Sequence, residues 1–271
     1  MKANVTVSDL HVGSLMGLCP DKAREDGGGI RKPNKFQKTL LRYWRHFWDE
    51  WVPEVTRGAE DVSVTFNGDV MEGIHHNTVA VWTNDVETQE SNTIEIPKPI
   101  VKRYPHSFLV RGTPAHGGQS CKSEERIARE LGLAPNEVGD YSVWQLRLRI
   151  GDILFQFAHH IGVTSSAAYE TSAPMRELVA GLVEAAQWGQ TMPRVIVRSH
   201  RHRFVTVPIP SLQGRIECVI TPGWQLRTPN VERIDRMRMP HIGGVVFLVE
   251  DHTCRVREKL YPLPEPKAIQ I

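Results

Sequence analysis

VSDLHVGS, residues 7–14, places an aspartate and a histidine two positions apart where a strand-like run ends, with a glycine just beyond. Residues 3–8 carry the valines and threonine typical of a β-strand. Side chains at i and i+2 of a strand share a face, so Asp9 and His11 are expected to converge on one point. A metal ion is one reason to bring a carboxylate and an imidazole together in that way.

The same pattern recurs along the chain. Strand-like runs at 61–67 (DVSVTFN), 107–111 (SFLVR), 153–158 (ILFQFA) and 194–198 (RVIVR) each run into turn residues. Gly151-Asp152, between YSVWQLRLRI and ILFQFA, predicts a hairpin. Helical spacing falls between the strands. Asn34 reads as an N-cap with Gln37 three residues on, and Leu40, Leu41, Tyr43, Trp44, Phe47, Trp48 and Trp51 follow at the spacing of a buried helix face. Ser123 is expected to cap a short helix that runs to Leu131 and stops at Gly132. Residues 173–188 predict a helix with Pro174 near its start and Gly189 after its end. From Phe204 the chain reads as further strands: FVTVPIP, RIECVIT, GGVVFLVE and TCRVREKLY. Alternating strands and helices predict a layered α/β fold, with residues 1–271 as a single domain whose part from about 204 is mostly β.

Composition is that of a soluble globular chain: 24% charged residues, 40% hydrophobic residues and a formal net charge of +2. No apolar run approaches the roughly 18–20 residues of a membrane span, and MKANVTVSD enters a strand directly, so a cytoplasmic protein without membrane contact is expected. Charge near balance, without a dense Lys/Arg stripe, argues against a nucleic-acid-binding protein that lacks catalysis. The four cysteines, Cys19, Cys121, Cys218 and Cys254, are far apart and unpaired by spacing, which predicts reduced thiols.

In layered α/β sheets, functional residues sit just past the carboxyl ends of the strands. The first predicted strand ends in Asp9 and His11, the second in Gly68-Asp69 and the third in Gly112-Thr113-Pro114-Ala115-His116. The fourth ends in His159-His160 and the fifth in His200-Arg201-His202. Five successive strand ends deliver imidazole or carboxylate, without thiolate. Such a donor set suits Mn, Fe, Zn, Ni or Co rather than a cysteine-held structural zinc.

In this order the motifs SDLH (8–11), NGD (67–69), RGTPAH (111–116), AHH (158–160) and SHRHR (199–203) resemble the calcineurin-like metallophosphoesterase superfamily over about residues 3–203. The resemblance implies a layered sandwich of two mixed β-sheets flanked by helices, and two divalent transition-metal ions, manganese first among them. It implies that Asp9, His11 and His202 hold one ion, that Asp69 bridges, and that His159 and His200 hold the other. A metal-bridging hydroxide would then attack phosphorus. His116 would stand near the leaving oxygen as proton donor or charge stabiliser, or serve as a ligand itself.

The third motif departs from that pattern. The family's Gly-Asn-His is replaced, so the Asn ligand is missing, the His comes two positions later, and Thr113 offers only a hydroxyl oxygen in its place. His159 is preferred to His160 as the ligand. His75, His76, His160, Arg111 and Trp224 are candidate substrate contacts, with Gln225 and Arg227 beside Trp224. Glu72 is a candidate for orienting a ligand. Arg24, Arg31, Lys32 and Lys35 lie in a polar loop that could meet phosphate. The expected function is a phosphoesterase, preferentially a phosphodiesterase on nucleotide or nucleic acid. A phosphomonoesterase or protein phosphatase, or a catalytically inactive scaffold, are the alternatives.

Overall fold

Lys2–Val7 (β1) buries both of its faces, which makes it a central strand. In this computed structural model, which describes residues 1–75, 79–163, 166–212, 214–234, 239–264 and 268–270, Ala3, Val5 and Val7 face an outer helical layer. Asn4 and Thr6 point the other way, into a polar ladder: Asn4 Nδ2 donates to Ser63 Oγ (2.9 Å) and Thr65 Oγ1 (3.0 Å), and Thr6 Oγ1 donates to Asn4 Oδ1 (2.7 Å).

After β1 come a short hairpin, Ala23–Arg24 (β2) and Ile30–Arg31 (β3), then helix Lys35–His46 (α1). Asn34 caps α1 in a full capping box with Gln37, as the spacing predicts. The helix does not run on regularly to Trp51. Phe47–Trp51 form a widened π turn before Val52–Val55 (α2). Pro53 explains the break, because it has no N–H and its ring would crowd the Asp49 carbonyl of a regular helix. The aromatic face is nonetheless core, with Trp44, Phe47 and Trp48 buried.

Asp61–Asn67 (β4), Val86–Glu95 (α3), Lys98–Arg103 (α4), Ser107–Val110 (β5), Pro114–Gly117 (α5) and Lys122–Glu130 (α6) follow. Ser123 does not cap α6. The chain enters through Ser120 and Cys121, both left-handed (φ 60° and 49°), and Ser123 lies inside the first turn. YSVWQLRLRI is not one strand either: Ser142–Val143 (β6) joins the first sheet and Leu146–Ile150 (β7) starts the second, forming the expected hairpin with Ile153–Phe157 (β8). Ser172–Trp188 (α7) ends at left-handed Gly189. Val195–Arg198 (β9), Val205–Ile209 (β10), Ile216–Ile220 (β11), the short helix Pro229–Ile234 (α8), Ile242–Glu250 (β12) and Thr253–Tyr261 (β13) complete the order.

The first sheet runs β13-β12-β1-β4-β5-β6 and the second β10-β11-β9-β8-β7, and both mix parallel with antiparallel pairs. Phe155, Phe157, Val195 and Val197 of one sheet pack on Val245, Phe247 and Val249 of the other. Outside the first sheet lie Leu40 and Trp44 of α1, Ile100 of α4 and Ile127 of α6; outside the second lies Leu178 of α7. The result is the layered α/β sandwich that the strand–helix alternation predicts. The four cysteines are free. No helix among the described residues is long and apolar enough to cross a membrane.

Candidate metal centre

Strand register sets the site. Val7 pairs with Phe66 and Asn67 with Val110 in the first sheet; Phe157 pairs with Val197 and Arg198 with Ile220 in the second. The carboxyl ends of these parallel strands therefore finish side by side, and the loops that follow them meet. A buried polar network ties the two sheets together beneath that point. Asn67 Nδ2 donates to Ser199 Oγ (2.6 Å), Thr221 Oγ1 lies 2.7 Å from Ser199 Oγ and 2.8 Å from Ser8 Oγ, and Ser8 Oγ donates to Asp9 Oδ2 (2.6 Å).

Asp9 and His11 converge, but not by strand alternation. β1 ends at Val7, and both residues lie in the left-handed region (φ 54° and 46°), as do Asp69 (50°), His200 (71°) and His202 (48°). Side-chain residues adopt that conformation sparingly, and five of them in one place mark loops held by their surroundings to aim particular groups. Backbone bonds fix the aim: Asp9 N–H donates to Gly68 O (3.0 Å) and His11 N–H to Asp69 O (3.1 Å).

The structure brings Asp9, His11 and His202 into one cluster and Asp69, His159 and His200 into a second, each with ligand atoms within 4.8 Å of one another. His202 Nε2 lies 3.3 Å from Asp9 Oδ1 and 3.2 Å from His11 Nε2. His159 Nε2 lies 2.9 Å from Asp69 Oδ2 and 3.8 Å from Asp9 Oδ1, so the clusters adjoin. His200 Nδ1 and His116 Nε2 each stand 3.9 Å from Asp69 Oδ2. The single turn of α5 carries His116 to meet His11 edge-on, ring centroids 4.5 Å apart. Thr113 donates through its N–H to Asp69 Oδ1 (2.7 Å), and its hydroxyl lies 3.2 and 3.3 Å from the two carboxylate oxygens, so it grips Asp69.

These groups fit bound cations. His159 Nδ1 lies 2.7 Å from the Asn67 carbonyl, which only accepts, so Nδ1 carries a proton and Nε2 is left to face two carboxylates, ready to take a metal ion once its own proton is gone. Asp9 Oδ1 and His159 Nε2 are buried without an aligned hydrogen-bond partner. Buried polar atoms left so are costly, and a cation between them would satisfy both. Without metal, protons do that work. Burial alone would depress His159, but Asp69 and Asp9 outweigh it and lift it to about 9; burial also opposes His11, yet Asp9 and Glu72 carry it up to about 10. Burial likewise works against Asp9 and Asp69 ionising, and the surrounding imidazoles still hold both well below the usual carboxylate range.

Glu72 stands where an orienting carboxylate should, with Oε2 2.8 Å from His11 Nδ1 and Oε1 3.2 Å from His75 Nε2. His116 Nδ1 donates to the Glu72 carbonyl (2.6 Å). Burial, reinforced by His11, pushes His116 down to about 4, so at neutral pH its Nε2 presents a lone pair.

Two expected substrate contacts lie away from the cleft. Trp224 is fully buried against Trp44 and Phe47, with ring centroids 4.9 and 5.6 Å apart, and has no face for a base; its neighbours Gln225 and Arg227 do line the cleft. Arg111 is engaged by Glu125, Asp140 and Ser142, away from the cleft. His75 lines the cleft, His160 is exposed with its ring 5.1 Å from that of His200, and His76 lies outside the described residues. None of Arg24, Arg31, Lys32 and Lys35 lines the cleft, which has a volume of about 990 Å³. Ser8, Asn67, Ser199, Thr221 and Glu124 escape a sequence reading. The first four are ordinary polar residues whose role exists only once the two sheets are stacked, and Glu124 acts through loops of the first sheet that are far from it in sequence. Burial and the nearby Asp69 push the Glu124 carboxyl up to about 7.

No protein-family model matches the chain, and no curated protein matches it by sequence. Solved structures resemble it in shape. A Thermotoga maritima protein is 13% identical, over 96% of this chain and 100% of that one, with a TM-score of 0.41. A predicted phosphoesterase from Streptococcus pneumoniae is 9% identical (96% and 93% covered, TM-score 0.38). A metallophosphoesterase from Sphaerobacter thermophilus is 11% identical (96% and 89% covered, TM-score 0.38). The likeness is too distant to assign roles, and the functional reading stands on the site.

Proposed function

We propose that the chain is a metal-dependent phosphoesterase, with two divalent transition-metal ions, Mn²⁺ by preference, held at adjoining sites. Asp9, His11 and His202 form one ligand set and Asp69, His159 and His200 the other, with Asp69 shared. The observation that carries the reading is His159 Nε2 set 2.9 Å from Asp69 Oδ2 and 3.8 Å from Asp9 Oδ1 while Nδ1 is held on the Asn67 carbonyl, an arrangement that needs positive charge, a proton or a metal cation, at its centre. When bound there, such ions would supply Lewis acidity and would acidify water for attack on phosphorus.

The chain's own residues do the rest. Thr113 and Ser8 fix the two carboxylates, and Glu72 and the Asn67 carbonyl fix the rings of His11 and His159. His116 faces the site through Nε2; an anionic phosphoryl group in the cleft favours its imidazolium form, from which Nε2 donates a proton to the departing oxygen. The cleft, at about 990 Å³, lies at the upper end of the roughly 300–1,000 Å³ of organic-ligand pockets. That room supports a phosphodiester of nucleotide or nucleic-acid type over a small monoester.

The test is turnover of a diester and a monoester aryl phosphate by metal-stripped protein reloaded with Mn²⁺, with Asp69→Asn alongside. Wild type is expected to hydrolyse the diester faster, and Asp69→Asn neither. A wild type as inert as the variant overturns the proposal. Preference for the monoester moves the substrate to phosphomonoesters.

A further inference from the structure

We infer that Glu124, outside both ligand sets, is a positioning residue that fixes the Asp69 carboxylate by clamping together the two loops on either side of it. The inference rests on the metal centre proposed above. Glu124 is buried on α6, and its Oε2 accepts from Gly112 N–H at 2.6 Å while its Oε1 lies 3.4 Å from the Val70 nitrogen. Val70 directly follows Asp69. Gly112 directly precedes Thr113, whose N–H and hydroxyl hold Asp69.

One carboxylate thus joins the loop after β4 to the loop after β5 at the place where the second loop grips the first. The fit there is close. A Cβ on Gly112 would lie 2.1 Å from Asp69 Oδ1, so any drift of one loop against the other moves that oxygen. Two neutral N–H groups do not by themselves call for a buried carboxylate, which is expensive to desolvate and lies near another. The charge makes sense if cations lie on the far side of Asp69, because a negative group behind a ligating carboxylate strengthens its hold on them.

The test is Mn²⁺ binding by isothermal titration, without substrate, together with thermal unfolding of the metal-free protein, for wild type, Glu124→Gln and Glu124→Ala. Gln keeps the shape and one acceptor oxygen but loses the charge. Glu124→Gln is expected to weaken Mn²⁺ binding about 10–100-fold. Its metal-free form is expected to melt no lower than wild type, because burial and the nearby Asp69 already disfavour the Glu124 carboxylate when no metal is bound. A merely structural clamp would do the reverse, lowering the metal-free melting temperature and leaving Mn²⁺ affinity unchanged. Unchanged affinity in Glu124→Gln overturns the inference, and that variant decides alone if Glu124→Ala does not fold. A wild type that binds no Mn²⁺ overturns the metal centre, and this inference with it.

Discussion

His159 holds the site's chemistry in one side chain. Its Nδ1–H is fixed on the Asn67 carbonyl, so everything it does happens at Nε2, against Asp69 and Asp9. In the metal-free protein a proton occupies that position and His159 titrates near 9; His11, between Asp9 and Glu72, titrates near 10. Metal ions must displace those protons, so binding and deprotonation are linked. Mn²⁺ affinity is predicted to rise with pH from 7 toward 9–10 and to level off above, with proton release visible as a buffer-dependent binding enthalpy. Affinity that is flat across that window would contradict the assignment. The sign for metal-free stability is the opposite. Both folded values lie above the ordinary imidazole value of 6.5, so the stabilisation is full below about 6.5 and is lost as pH climbs through about 9 and then about 10.

At the scale of elements, the site depends on loops anchored at their far ends. Asn34 caps α1 by accepting from Phe36 N–H and Gln37 N–H (2.9 Å each), and its own Nδ2 donates to Leu15 O (2.9 Å) in the loop beyond His11. Asn34→Ala is predicted to cost about 1 kcal/mol in urea unfolding; no measurable loss would mean the cap contributes nothing. This cap was legible from Asn34 and Gln37 alone, because a capping box is local in sequence. So were Asp61–Asn67 and the turn at Gly151-Asp152. What was not legible is what depends on partners far along the chain. The split of YSVWQLRLRI between two sheets is one case, the burial of Trp224 under α1 another, and the left-handed turn that brings Asp9 to His11 a third. In each, the sequence shows which residue types are present but not which way a loop turns them. The ordered Asp and His residues stood out because five strand ends repeat the signal, whereas Glu124 has no such repetition and becomes visible only by its contacts with Val70 and Gly112.

Across the whole molecule, two mixed sheets from distant parts of the chain are stacked so that their parallel strands end at one place. The network of Ser8, Asn67, Ser199 and Thr221 holds that register between layers that apolar packing alone would leave free to slide, while the ladder from Asn4 and Thr6 ties β1 to β4 within the first sheet. The consequence is two adjoining clusters, Asp9 with His11 and His202 and Asp69 with His159 and His200, which meet where His159 Nε2 lies 2.9 Å from Asp69 Oδ2 and 3.8 Å from Asp9 Oδ1. The most direct measurement is the number of manganese ions retained per chain, by elemental mass spectrometry after Mn²⁺ loading and gel filtration, for wild type and Asp69→Asn. The predicted result is two ions in wild type and fewer in Asp69→Asn. No bound metal in wild type, or two ions retained by the variant, would contradict a shared Asp69 at the centre of the site.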